Sequence, residues 1–158
     1  MIAYLDPSSI VKLYKDEAAS LEVEQLVSAT DGIATSRLSY VEVRSAFAFN
    51  RWSALERGTP FQSRGLGPGD VETAYGSMVA SFERDWNDRQ FLRLALDEPA
   101  LRMAAILCHK YPALRAVDAV HVASAVRLSR ASLNALTFSS FDERQLGAAQ
   151  AEGLNLAH

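Results

Sequence analysis

The chain opens with a four-residue apolar run, Ile2-Ala3-Tyr4-Leu5, closed at once by Asp6-Pro7. Only a short buried strand fits there, because proline at a first helical position ends extended structure and starts a helix. The same alternation continues to the C-terminus. Ile33-Ala34-Thr35, residues 90–96, residues 134–138 and Leu154-Asn155-Leu156 read as further strands. Helices are expected over roughly 7–14, 18–29, from Ser36 or Ser39 to Leu55, from Asp70 to Trp86, from Asp97 to before Pro112, over 116–130 and over 142–151. Strands alternating with helices imply crossover connections and a parallel sheet covered on both faces. The expectation is an α/β fold, a three-layer α/β/α sandwich around a parallel sheet of four to five short strands. It occupies one domain, residues 1–158. The stretch 57–69 holds Gly58, Pro60, Gly65, Gly67, Pro68 and Gly69, so it cannot continue a helix and joins two helices of that domain.

The single cysteine, Cys108, cannot form an internal disulfide and lies in an apolar helical run, which suits an inert thiol in a reducing compartment. The N-terminus has no signal-peptide pattern, and no run approaches the roughly 20 apolar residues of a membrane span. A cytoplasmic protein without membrane contact is expected. The formal net charge of −3 argues against simple phosphate binding. A carboxylate metal site softens that objection, since it counts as negative until its cations arrive. Arg37, Arg44, Arg51, Arg57 and Arg64 recur along one stretch and read either as a basic stripe or as a solvated helix face.

Parallel sheets place reactive groups beyond the carboxyl ends of their strands. Asp6 ends the first strand, and Asp142 follows the strand near 134–138. Glu42 falls in the first turns of the long helix, and Asp118 opens the helix after Arg115. Four carboxylates from four segments are thus expected to converge on one sheet edge. Taken singly, each aspartate is also a plausible helix cap and the glutamate a solvated charge. Together they would repel one another, a penalty that a divalent cation removes; all-oxygen ligation favours magnesium or manganese.

The sequence around each acid narrows this. Tyr4-Leu5-Asp6-Pro7-Ser8-Ser9-Ile10-Val11-Lys12-Leu13-Tyr14 resembles the opening of PIN-domain nucleases, especially the VapC toxins of bacterial toxin–antitoxin pairs. Ser39-Tyr40-Val41-Glu42-Val43 is similar to the second acidic motif of that family, and Arg115 to Ala125 to its third. Ser140-Phe141-Asp142-Glu143-Arg144-Gln145-Leu146 is similar to the fourth, with serine at Ser140 where threonine is usual. The resemblance spans nearly the whole chain. It implies a PIN-like fold and a magnesium- or manganese-dependent endoribonuclease acting on structured RNA such as transfer or ribosomal RNA. It further implies a homodimer restrained by a VapB-like antitoxin, with Asp6, Glu42, Asp118 and Asp142 as metal-binding acids. Asp142 keeps the family spacing better than its neighbour Glu143.

Ser8 and Ser140 are expected to support the site, although each hydroxyl could instead satisfy a helix N–H. His121 follows Asp118 by three residues on one helix face, as a packed histidine bonded to backbone or as a general acid. Lys12 reads as a surface or interface charge. Phe47, Phe49, Trp52, Phe61, Tyr75, Phe82 and Trp86 crowd the two middle helices and their loop, and an exposed apolar patch of that size would mark a partner surface. A serine hydrolase, a zinc site and a phosphate loop are disfavoured for want of their motifs. Two alternatives remain: a phosphoaspartate protein using Asp6, and a catalytically silent RNA- or protein-binding module on the same fold.

Overall fold

The computed structural model describes residues 1–64, 70–88 and 91–157. Five strands form one all-parallel sheet in the order β3-β2-β1-β4-β5, comprising β1 (Ile2–Leu5), β2 (Gly32–Ser36), β3 (Phe91–Leu94), β4 (Leu136–Ser139) and β5 (Asn155–Leu156). Seven helices among the described residues connect them: α1 (Pro7–Val11), α2 (Ser20–Ser28), α3 (Ser39–Arg57), α4 (Val71–Asn87), α5 (Glu98–Lys110), α6 (Ala116–Ala131) and α7 (Glu143–Ala151). This is the expected α/β architecture with five strands. Of the strand expected over 90–96, Gln90 lies outside the described residues, as do Gly65, Gly67, Pro68 and Gly69 of the Gly/Pro stretch.

The period-two alternation of a strand divides the core. Ala3 and Leu5 of β1 pack with Ile10 and Val11 of α1, Val23 of α2, Phe47 of α3 and Phe82 of α4. Tyr4 faces the other way, against Leu107 of α5, Val122 of α6, Phe138 of β4 and Ala148 of α7. The chain steps outward from β1 to β2 to β3 with helices on the first face, then returns past β1 to lay down β4 and β5 with helices on the second. Constant crossover handedness requires that change of face when the direction reverses. The reversal puts a topological switch between β1 and β4, where open α/β sheets bind their ligands.

Helix starts follow local chemistry in most cases. Asp70 Oδ2 accepts from Thr73 N at 3.2 Å, and Asp97 Oδ1 from Ala100 N at 2.9 Å. The long helix departs from expectation. Neither Ser36 nor Ser39 caps α3; Leu38 occupies the cap, and Ser39 Oγ turns inward to Thr35 Oγ1 at 2.6 Å. Gly58 ends α3 in the left-handed region (φ 65°), which a residue without Cβ adopts freely.

The middle-helix aromatics are mostly core, which corrects the expectation of one large exposed patch. Phe47, Phe82 and Trp86 are buried, and Tyr40 and Trp86 pack at a tilt with ring centroids 5.5 Å apart. Phe49 and Trp52 stay exposed on α3, flanked by Val41 and Leu55. The arginine series is not a free basic stripe either: Arg44 pairs with Glu83, Arg51 with Glu72 and Arg64 with Glu24.

Candidate active site

A cavity of about 370 Å³ opens at the switch point, lined by Asp6, Glu42, Asp118 and Asp142 together with Ser8, Lys12, Glu17 and Gln145. Four separate elements therefore bring the four acids singled out in the sequence to one place. A larger cavity, about 690 Å³, lies along β2 and β3 with Asp31 as its one acid, and none of these residues reaches it. Convergent charge marks the site better than volume does.

Asp6 both caps a helix and faces the cavity, so its two sequence readings are compatible. β1 hands the chain to β4 through Asp6 N donating to Ser139 O at 3.0 Å. The carboxylate is then locked: Oδ1 accepts from Ser9 N at 2.9 Å and Ser8 Oγ at 2.7 Å, and Oδ2 from Ser140 Oγ at 2.9 Å. Ser8 Oγ also accepts from Phe141 N, and Ser140 Oγ from Asp142 N. These hydroxyls staple the end of β1 to the loop after β4. Ser9 and Ser139 add a buried hydroxyl pair at 2.8 Å that the sequence did not reveal.

Asp118 is buried in the first turn of α6. Its Oδ1 accepts from Gln145 Nε2 at 3.1 Å, while its Oδ2 is buried with no hydrogen-bond partner. Gln145 Oε1 is likewise buried and unpartnered. Burial, followed by the Asp142 charge, raises the Asp118 carboxyl above the usual aspartate range. Asp142 is the opposite case. It caps α7 through Arg144 N and takes a fork from the Arg144 guanidinium at 3.1 and 2.6 Å, which holds its carboxyl down at about 2. Glu143, its neighbour, points to solvent and does not line the cavity. Glu42 Oε2 sits 2.8 Å from Nε2 of His121, whose ring is fully buried.

Among the described residues, no three acidic, histidine or cysteine side chains converge tightly enough to hold a metal ion as placed. The acids share a cavity, but each carboxylate leans on its own partner. The donor set still fits a hard divalent cation. It is all oxygen, and Asp118 offers a buried carboxylate oxygen that has no hydrogen-bond partner.

Lys12 is not a surface charge. It is buried, donates to Glu17 Oε1 at 3.0 Å and Ala18 O at 2.8 Å, and lies 4.3 Å over the Phe141 ring. Its position within an apolar run of α1 and the turn after it was the available signal. Gln145 carried none, since a glutamine on a short helix reads as solvated.

No family model matches the chain. It is 30% identical over 161 residues to Ribonuclease VapC45 of Mycobacterium tuberculosis, covering 99% of this chain and 94% of that protein. Ribonuclease VapC49 of the same species matches to the same extent. The chain belongs to the VapC ribonuclease family. Its fold is that of FitAB bound to an IR36 DNA fragment (TM-score 0.62, 18% identity, 100% of this chain and 96% of that one). VapBC2 of Rickettsia felis, solved with promoter DNA, gives 0.60 at 12% identity over 99% and 97% of the two chains. VapBC-1 of nontypeable Haemophilus influenzae gives 0.58 at 13% identity over 99% and 96%. Membership in the VapC family places the switch-point cavity in a ribonuclease scaffold.

Proposed function

We propose that this VapC-family protein is a metal-dependent endoribonuclease, the toxin of a toxin–antitoxin pair. It hydrolyses phosphodiester bonds in structured RNA such as transfer or ribosomal RNA, and so halts translation in the cytoplasm. One observation carries the reading: four carboxylates from four elements line one cavity at the β1–β4 switch, and one of them keeps a buried, unpaired oxygen. Asp6, Glu42 and Asp118 would hold magnesium or manganese, and Asp142 would join them by opening its fork with Arg144. When bound, such an ion neutralises charge on a phosphodiester and activates water.

The chain's own groups supply the geometry. Ser8, Ser140 and the Ser9 amide keep the Asp6 carboxylate from rotating. Gln145 fixes one oxygen of Asp118 and leaves the other for the cation. Arg144, forked onto Asp142, carries a planar guanidinium that suits a phosphate as well as a carboxylate. The exposed flank of α3, with Val41, Phe49, Trp52 and Leu55, is the apolar surface on which a VapB-like antitoxin segment would rest, the toxin itself being a homodimer.

A phosphoaspartate role for Asp6 is disfavoured, because such a site usually has a second acid two positions on, where this chain has Ser8. The test is cleavage of total transfer and ribosomal RNA with magnesium, with manganese and with chelator. Wild-type protein should cut only with metal, and Asp6→Asn should not cut. Full cleavage by Asp6→Asn would sink the mechanism, and a wild-type protein that binds RNA without cutting it would favour the silent module.

A further inference from the structure

His121 has neither of the roles its sequence position suggested. It is not bonded to backbone, and its ring is fully buried, out of reach of a leaving group in the cavity. It stands instead in the middle of a chain of hydrogen bonds. Tyr4 Oη lies 3.1 Å from His121 Nδ1, and His121 Nε2 lies 2.8 Å from Glu42 Oε2. We infer that His121 is a positioning residue that aims the Glu42 carboxylate into the acid cavity, with Tyr4 holding the other side of its ring. The inference rests on the reading of Glu42 as a site acid.

Hydrogen-bond accounting fixes the direction of the chain. Glu42 offers only acceptors, so Nε2 must carry a proton to meet it at this distance. In the neutral ring Nδ1 is then the acceptor and Tyr4 the donor. Every polar atom of the imidazole is thereby used, as burial in an apolar core demands. Swapping the tautomer would face a bare nitrogen lone pair to a carboxylate while pointing an N–H at a hydroxyl. The Glu42 carboxylate disfavours this, while the Tyr4 hydroxyl, which can donate or accept, holds the other side of the imidazole, its own ring stacked on Phe138 with centroids 5.5 Å apart.

The chain also links the elements that carry the other acids. Tyr4 is on β1 two residues before Asp6, and His121 is on α6 one turn after Asp118. Glu42, by contrast, comes from α3 on the far face of the sheet, and its side chain is 30% exposed. A half-exposed glutamate on a helix has several open rotamers. The N–H from His121 selects one of them, binding Oε2 and leaving Oε1 for the cavity. Donors of this kind behind a metal-binding carboxylate typically change affinity or activity 10–100-fold when removed.

The experiment is a double-mutant cycle read on manganese affinity of the RNA-free protein and, separately, on RNA cleavage. His121→Leu should weaken manganese binding about tenfold or more, whereas His121→Gln, whose amide can still donate to Glu42, should stay within about threefold of wild type. The loss from His121→Leu should disappear when Glu42 is already alanine, because His121 acts only through it. A merely structural histidine would give the same loss in both backgrounds, and that result, or no loss in the single variant, would overturn the assignment. Should His121→Leu fail to fold, Tyr4→Phe carries the same comparison, with a smaller loss that also vanishes in the Glu42→Ala background. If Glu42→Ala itself leaves manganese affinity and cleavage unchanged, the reading of Glu42 as a site acid fails first, and this assignment falls with it.

Discussion

Replacing Asp118 with asparagine tests the electrostatics of the cavity while leaving its shape alone. The wild-type side chain carries a charge that burial and Asp142 both disfavour, and one of its oxygens has no partner. Gln145 already donates to the other oxygen, and its own Oε1 is also buried and unpaired. An asparagine keeps the accepting oxygen and adds an N–H that can return the bond, closing a reciprocal amide pair. Each buried unsatisfied polar group costs about 1–3 kcal/mol, so even after partial solvation the variant should gain about 1–2 kcal/mol in metal-free protein at neutral pH. For a domain of this size that is about 2–8 °C in Tm. Urea unfolding at fixed protein concentration measures it. The pH dependence supplies the sign check. A carboxyl whose pKa is raised by folding contributes stability that is present in full below the unfolded value, about 3.9, and is lost as pH rises through the folded value. The asparagine's advantage should therefore be full at neutral pH and fade towards about pH 4, where wild-type Asp118 is protonated. A variant less stable than wild type at neutral pH, or an advantage that persists unchanged into acid, would refute the electrostatic account.

Arg144→Ala should lower stability at neutral pH, by an amount kept small by the exposure of the pair. Because Asp142 is depressed to about 2, that stability exists above the unfolded carboxyl range and is lost as pH falls through the folded value, so the two proteins should converge near pH 2 in urea unfolding. Equal stabilities at neutral pH would show the fork to be idle. Trp86→Ala should destabilise by about 3–5 kcal/mol, as loss of a buried indole does. Trp52→Ala should leave stability within about 0.5 kcal/mol yet weaken antitoxin binding by more than about 1 kcal/mol, measured by calorimetry.

The strand–acid–helix punctuation made the sheet and the four acids legible, because Asp6 and Asp142 cap the helices they open and Asp118 falls in the first turn of α6. Their partners were hidden for a different reason. His121 meets Glu42 across 79 residues, Gln145 meets Asp118 across 27 and Lys12 folds back to Glu17 in the same cavity, and only the tertiary path sets those meetings. The two faces of α3 were equally opaque. Val43, Phe47 and Asn50 are buried, while Val41, Phe49, Trp52 and Leu55 are exposed, so apolar residues occur all round the helix and periodicity cannot say which stripe faces inward. Asn50 shows the difficulty best, being buried because Nδ2 donates to Gln62 O at 2.8 Å.

The order in which the strands are laid down has a consequence for synthesis. β1 leaves the ribosome first but is the middle strand, and the neighbour that completes its reactive edge, β4, does not begin until Leu136. Ser140 and Asp142 follow it still later. A nascent or prematurely terminated chain that stops short of β4 has Asp6 with no wall opposite it and no hydroxyl on its second oxygen. If the proposed site is the active one, such fragments should not cut RNA. On the proposed reading, the wall of the site beside β1 is laid down only over residues 136–142, when β4 and the loop after it join the oldest strand.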